Sequence, residues 1–136
     1  MNLEQLTETL IDIESVTGNE GEVLTFIEDY LIKNKFSGEV IKNEGGLIAY
    51  HSKTKSKIAL VGHVDTVPVA DNQKRLSDTE KIFGRGSVDM KSGIAVMLNT
   101  LIDENSNEIG VFYTAEEGPI KENGLEALMP LSLIHI

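Results

Sequence analysis

His63 and Asp65 stand two residues apart at the end of the apolar run Ile58-Ala59-Leu60-Val61-Gly62. In extended chain such a pair leans to one face, so the Asp65 carboxylate can accept the spare imidazole N–H of His63. That contact fixes the tautomer and raises the basicity of the other ring nitrogen, the one left to face a metal. Asp89 sits in Gly84-x-Gly86-x-x-Asp89-x-Lys91-x-Gly93, just ahead of a stretch with helical spacing. Its glycines permit a tight path that brings a carboxylate into a crowded centre. A plainer role is also open: Ser87 or Asp89 could cap the helix that follows. Glu116 and Glu117 are neighbours after a further apolar run, next to Gly118-Pro119. Adjacent carboxylates repel unless a cation compensates; one can ligate a metal while the other stays free as a general base. A lone His-x-Asp is more often a surface pair, and a bare Glu-Glu more often a solvated turn. The ordered set of all three is what points to metal chemistry.

The elements that must position these groups follow from periodicity. Leu3, Leu6, Leu10 and Ile13 predict a helix over residues 2–13. Thr17 with Glu20, or Asn19 with Glu22, predicts a capping box for a second helix, whose stripe is Val23, Phe26, Ile27, Tyr30 and Leu31, ending near Asn34. Strands are expected at 39–42 and 47–51, with Gly45-Gly46 turning between them. The run 57–61 is expected to be a strand buried on both faces, after a polar loop at 52–56. Residues 71–81 are polar and expected to be exposed, and Ile82-Phe83 to return to the core. Ile94, Met97, Leu98, Leu101 and Ile102 predict a helix from Met90; 109–113 predicts a strand, and Asn123-Gly124-Leu125 the start of another helix. Strands alternating with helices indicate an α/β layer structure, a mixed sheet flanked by helices. In such sheets ligands gather at the carboxyl ends of strands, so His63-x-Asp65 and Glu116-Glu117 should share one sheet edge.

Composition narrows the partners. With 12 basic and 22 acidic residues the net charge is -10, which disfavours nucleic acid. No apolar run approaches the roughly 20 residues a bilayer span needs, and the first residues carry acids where a signal peptide needs a basic start. There is no cysteine, so any metal must be held by imidazole and carboxylate; the absence fits a cytoplasmic location.

Gly62-His63-Val64-Asp65-Thr66-Val67-Pro68, the stretch Gly84 to Gly93 and Thr114-Ala115-Glu116-Glu117-Gly118 resemble, in order, the three motifs of the M20 metallopeptidase family. Ser15-Val16-Thr17-Gly18 and Glu22 also suit that family's opening helices. The resemblance implies a zinc-exopeptidase-like catalytic domain and two zinc ions, with cobalt or manganese as alternatives. It implies that His63 binds one ion, Glu117 the other, and Asp89 bridges both. Asp65 would orient His63, Glu116 would be the general acid/base, and the Asp89-Met90 peptide would be cis. Val67-Pro68, Ala70-Asp71-Asn72 and Glu122-Asn123-Gly124-Leu125 most resemble the branch that removes succinate from an acylated diamino acid, so the expected partner is a small N-acyl amino acid, and the full-length relative is expected to be a homodimer.

Family members are more than twice this length. Residues 1–128 are therefore expected to be the N-terminal part of a truncated catalytic domain, without the lid and dimerisation domain or the C-terminal part, and 129–136 a non-native tail. A downstream acid and a C-terminal histidine have no counterpart; His51 and His135 are poor substitutes. Weak metal binding and little turnover are expected of this chain. Two other classes compete: a nucleotide-binding module using Gly84-Arg85-Gly86, although Asp89 occupies the third glycine's place, and a non-catalytic fragment that associates through open sheet edges.

Overall fold

A computed structural model of the chain describes residues 1–51, 58–70, 76–77 and 80–135, with 76–77 and 132–135 by backbone alone. The expected loop at 52–56 and most of the expected excursion at 71–81 lie outside the described residues, as does the start of the run 57–61.

Helix α1 spans Leu3–Asp12 and α2 spans Gly21–Lys33. Strand β1 is Glu39–Asn43, β2 Gly46–Tyr50 and β3 Ala59–His63. Leu76–Ser77 (β4) and Ile82–Phe83 (β5) pair as a small antiparallel ribbon. Helix α3 is Lys91–Leu101, β6 is Ile109–Tyr113, and a short 3-10 turn at Ile120–Glu122 leads into α4, Leu125–His135. The main sheet has the order β1-β2-β6-β3. Its first two pairings are antiparallel, and β3 runs parallel to β6 with His63 opposite Tyr113.

Strand alternation divides the core into two layers. Leu47, Ala49 and Phe112 point to α1, α2 and α3, where Leu6, Leu10, Ile27, Leu31, Ile94 and Leu98 meet them. Ile48, Tyr50, Ile109 and Val111 point to the other side, against Leu128 of α4. The α/β expectation is therefore borne out, with helices on both faces of a mixed sheet.

Four local expectations are corrected. The run 57–61 is not buried on both faces: among the described residues β3 is the last strand of the sheet, and Val61 is 47% exposed. Phe83 does not return to the core, since among the described residues β5 pairs with β4 and not with the main sheet; it is 49% exposed. The capping box belongs to α1, where Asn2 Oδ1 accepts from Gln5 N and Gln5 Oε1 from Asn2 N. Glu20 stands at the N-cap of α2 with no side-chain cap, because Thr17 and Glu20 are bonded elsewhere. Neither Ser87 nor Asp89 caps α3; its N-cap position is Met90.

The turn between β1 and β2 depends on Gly46, whose φ is +134°. A Cβ there would lie 2.0 Å from the Phe112 carbonyl oxygen, a backbone atom fixed by the β2–β6 ladder. Gly46→Ala is expected to lower the unfolding free energy by at least about 2 kcal/mol, combining strain and clash, as read by urea denaturation.

Candidate metal centre

The parallel pair β3 and β6 delivers its carboxyl ends to one place. His63 is the last residue of β3, and Asp65 follows two residues on. Beyond β6 the chain breaks at Thr114, passes through Ala115 with φ 55°, and presents Glu116 and Glu117. The glycine loop ahead of α3 brings Asp89 in from the side, through a cis Asp89-Met90 peptide. One ligand atom each of His63, Asp89 and Glu117 lie within 4.8 Å of one another.

His63 is buried, while Asp89 and Glu117 are exposed. His63 Nδ1 lies 3.0 Å from the Asp65 carbonyl oxygen and 3.3 Å from Asp65 Oδ1. That leaves Nε2 facing the acids, 2.9 Å from Asp89 Oδ1 and 4.0 Å from Glu116 Oε2. Metal–ligand distances of about 2.0–2.2 Å put two donors on one ion roughly 3 Å apart. The His63–Asp89 spacing meets that requirement, and a Glu117 carboxylate oxygen lies within 4.8 Å of both donors. One imidazole nitrogen with carboxylate oxygens is a donor set suited to zinc, so the residues fit a metal.

Asp65 is fully enclosed and accepts four contacts. Besides His63, it accepts from Thr17 Oγ1 at 2.7 Å, Glu116 N at 3.1 Å and Glu117 N at 3.1 Å. Burial pushes its pKa up, but these donors outweigh burial and hold it down at about 2. Burial likewise lowers the pKa of His63, and the hydrogen bonds to Asp65 and Asp89 overcome it, raising the imidazole to about 9. Tyr113 sets its ring edge-on to His63 with centroids 6.1 Å apart. Burial raises its phenol, helped by the nearby carboxylates of Glu116, Asp65 and Asp89.

Sequence reasoning missed the residues that support this centre. Thr17 and Glu20 were assigned to a helix cap. Lys91, 2% exposed, donates its ammonium to the Ile13 carbonyl at the end of α1; burial lowers its pKa to about 8 against the raising effect of Glu14 and Asp12. A buried lysine two residues after Asp89 was the available signal, since a basic residue inside an apolar helix face needs a partner. An open cleft of about 290 Å³ adjoins the cluster, lined by Arg85, Ser87, Val67, Asp89 and Glu117.

A parallel strand pair that gathers imidazole and carboxylates beyond its carboxyl ends is the layout of a metallohydrolase. The chain belongs to the peptidase family M20/M25/M40, whose pattern matches residues 59–134. It is 40% identical over 128 residues to succinyl-diaminopimelate desuccinylase of Corynebacterium glutamicum, an alignment covering 88% of this chain and 35% of that protein. Among solved structures it is similar to a tripeptidase from Staphylococcus aureus, with TM-score 0.68 and 25% identity over 85% of this chain and 36% of the other. It also shares its fold with human carnosine dipeptidase 1, at TM-score 0.73 and 19% identity over 96% of this chain and 35% of the other. The chain thus spans about a third of the length of the relatives it matches. Among the described residues no helix is long and apolar enough to cross a membrane.

The raised imidazole pKa has a sign that can be tested in metal-free protein. The folded state keeps the His63 proton above pH 6.5, where an unfolded chain releases it. The resulting stabilisation is complete below pH 6.5 and is lost as pH rises toward about 9. In EDTA, the melting temperature is expected to fall across that window. His63→Ala should start lower and lack this part of the fall; parallel curves for the two proteins would contradict it. Lys91 titrates in both, so the difference isolates His63.

Proposed function

We propose that this chain carries the ligands and proton-transfer groups of a di-zinc amide hydrolase acting on N-acyl amino acids. The observation that carries the reading is the meeting of His63, Asp89 and Glu117, from three separate segments, within 4.8 Å. His63, Asp89 and Glu117 would hold the metal, with Asp89 shared between two ions. Bound zinc, with cobalt or manganese as substitutes, would supply a Lewis acid and lower the pKa of water toward about 7. Asp65 keeps the Nδ1 proton of His63 engaged, so that Nε2 is the donor nitrogen. Glu116, 4.0 Å from that nitrogen and 42% exposed, is free to take a proton from attacking water and return it to the leaving amine.

The relatives' names favour succinyl-diaminopimelate desuccinylase as the activity of the whole protein, releasing succinate and LL-diaminopimelate in lysine and diaminopimelate biosynthesis. Arg85 supports an acidic acyl group: it is the cation among the cleft's lining residues, and its buried Nε has no acceptor among the described residues. A location in the cytoplasm and a homodimer of the full-length protein belong to the same proposal. So does the assignment of residues 1–128 to the N-terminal part of the catalytic domain. Acetylornithine deacetylase, aminoacylase and carboxypeptidase are the alternatives within the family. A substrate panel on a full-length relative separates them: faster cleavage of an acetylated than of a succinylated substrate rejects the desuccinylase assignment.

For the chain itself the expectation is metal binding without useful turnover, because one imidazole and two carboxylates are too few to close two sites. Isothermal titration with Zn²⁺ should give weak binding that His63→Ala or Glu117→Gln abolishes. Glu116→Gln should leave that binding intact. In a full-length relative, the same change at the aligned glutamate should lower kcat roughly 100- to 10,000-fold with metal content unchanged.

A further inference from the structure

The turn that presents Glu116 and Glu117 is held by the segment that joins α1 to α2. Three successive backbone N–H groups after β6 each point at a carboxylate from elsewhere in the chain. Ala115 N donates to Glu20 Oε1 at 3.2 Å, Glu116 N to Asp65 Oδ1 at 3.1 Å, and Glu117 N to Asp65 Oδ2 at 3.1 Å. Thr17 Oγ1 donates to Asp65 Oδ2 at 2.7 Å, which fixes the orientation of the carboxylate that two of those amides need. The Thr17 methyl also fills the space beside Gly118, 2.9 Å from where a Cβ on that glycine would stand.

The segment is itself anchored to the chain beyond β3. Thr17 N donates to Thr66 O at 3.1 Å, Thr66 N to Ser15 O at 2.9 Å, and Ser15 Oγ to Val64 O at 2.8 Å. Glu20 is 7% exposed, and its carboxylate accepts from the Ala115 amide. Ala115 has φ 55°, a conformation that L-residues avoid unless their surroundings impose it. A buried acid on the amide of a left-handed residue, immediately before two carboxylates, is a device for aiming them.

We propose that Thr17 and Glu20 are positioning residues for the Glu116–Glu117 pair, Thr17 through Asp65 and Glu20 through Ala115. The proposal rests on the reading of Glu117 as a metal ligand, and it adds that the ligand's direction is set from residues 15–20. Thr17→Val removes the hydroxyl at nearly constant volume, and Glu20→Leu removes the acceptor. Thr17→Ser keeps the hydroxyl, and Glu20→Gln keeps an acceptor oxygen without the charge.

Two measurements on the chain decide it. Titration with Co²⁺, followed by its visible absorption, should show binding weakened roughly tenfold and a shifted spectrum in Thr17→Val and Glu20→Leu, with Thr17→Ser and Glu20→Gln close to the parent. Amide hydrogen exchange in EDTA should show faster exchange at residues 115–117 in the first two variants, with β6 amides unchanged. Unaltered exchange at 115–117, equal acceleration throughout β6, or failure of Ser and Gln to restore the parent behaviour would overturn the proposal. Should Glu20→Leu not fold, Glu20→Ala takes its place, and unaltered exchange at Ala115 in that variant overturns the part of the proposal that concerns Glu20. His63→Ala and Glu117→Gln serve as controls for the metal: if they bind Co²⁺ like the parent, the metal assignment fails, while exchange still decides the positioning role.

Discussion

A single enclosed carboxylate, that of Asp65, ties the site together. It is bonded to the imidazole at the end of β3, to the hydroxyl of Thr17 and to the two amides that open the Glu116–Glu117 turn. A buried anion is costly unless several donors converge on it, and here four do. Convergence makes the arrangement cooperative: shifting one partner loosens the hold on the others. The geometry of His63, Glu116 and Glu117 therefore depends on one enclosed side chain.

The sheet brings that convergence about. β3 and β6 lie parallel and adjacent, so their carboxyl ends meet at one edge, with α3 in the crossover that joins them. α3 packs across both strands on the helix-rich face, and its leading loop drops Asp89 beside His63. Gly62 lies under this contact: a Cβ there would come within 3 Å of the side-chain ends of Met90, Ile94 and Met97, which would have to shift. The glycine just before the histidine thus gives room to the helix that follows the Asp89 loop.

Much of this was legible in the sequence, because the informative signals were local. Periodicity located all three long helices that flank the sheet's first face, and the apolar run before Thr114 gave the bounds of β6. Residue type and spacing brought out His63, Asp65, Asp89, Glu116 and Glu117, and topology put the His63-x-Asp65 and Glu116-Glu117 pairs on one edge. What stayed hidden was long-range. Thr17 and Glu20 carry a local signature, the helix-cap pattern, and the competing tertiary bonds to Asp65 and Ala115 are formed with residues 48 and 95 positions away. β3 misled for a related reason. Its apolar content suits a central strand, and the order β1-β2-β6-β3 places it last among the described residues.

That marginal placement gives the molecule an unusual relation to ionic strength. Ile58 and Val61 are exposed, and among the described residues no strand lies beyond β3. An edge strand with apolar side chains is a surface to which another chain can add a strand of its own. Mutual repulsion from ten surplus negative charges holds copies apart in dilute buffer. Salt shortens the reach of that repulsion to about 8 Å near physiological strength, so copies oppose one another only on closer approach. How near two copies come to that edge is therefore set by counterions as much as by the fold.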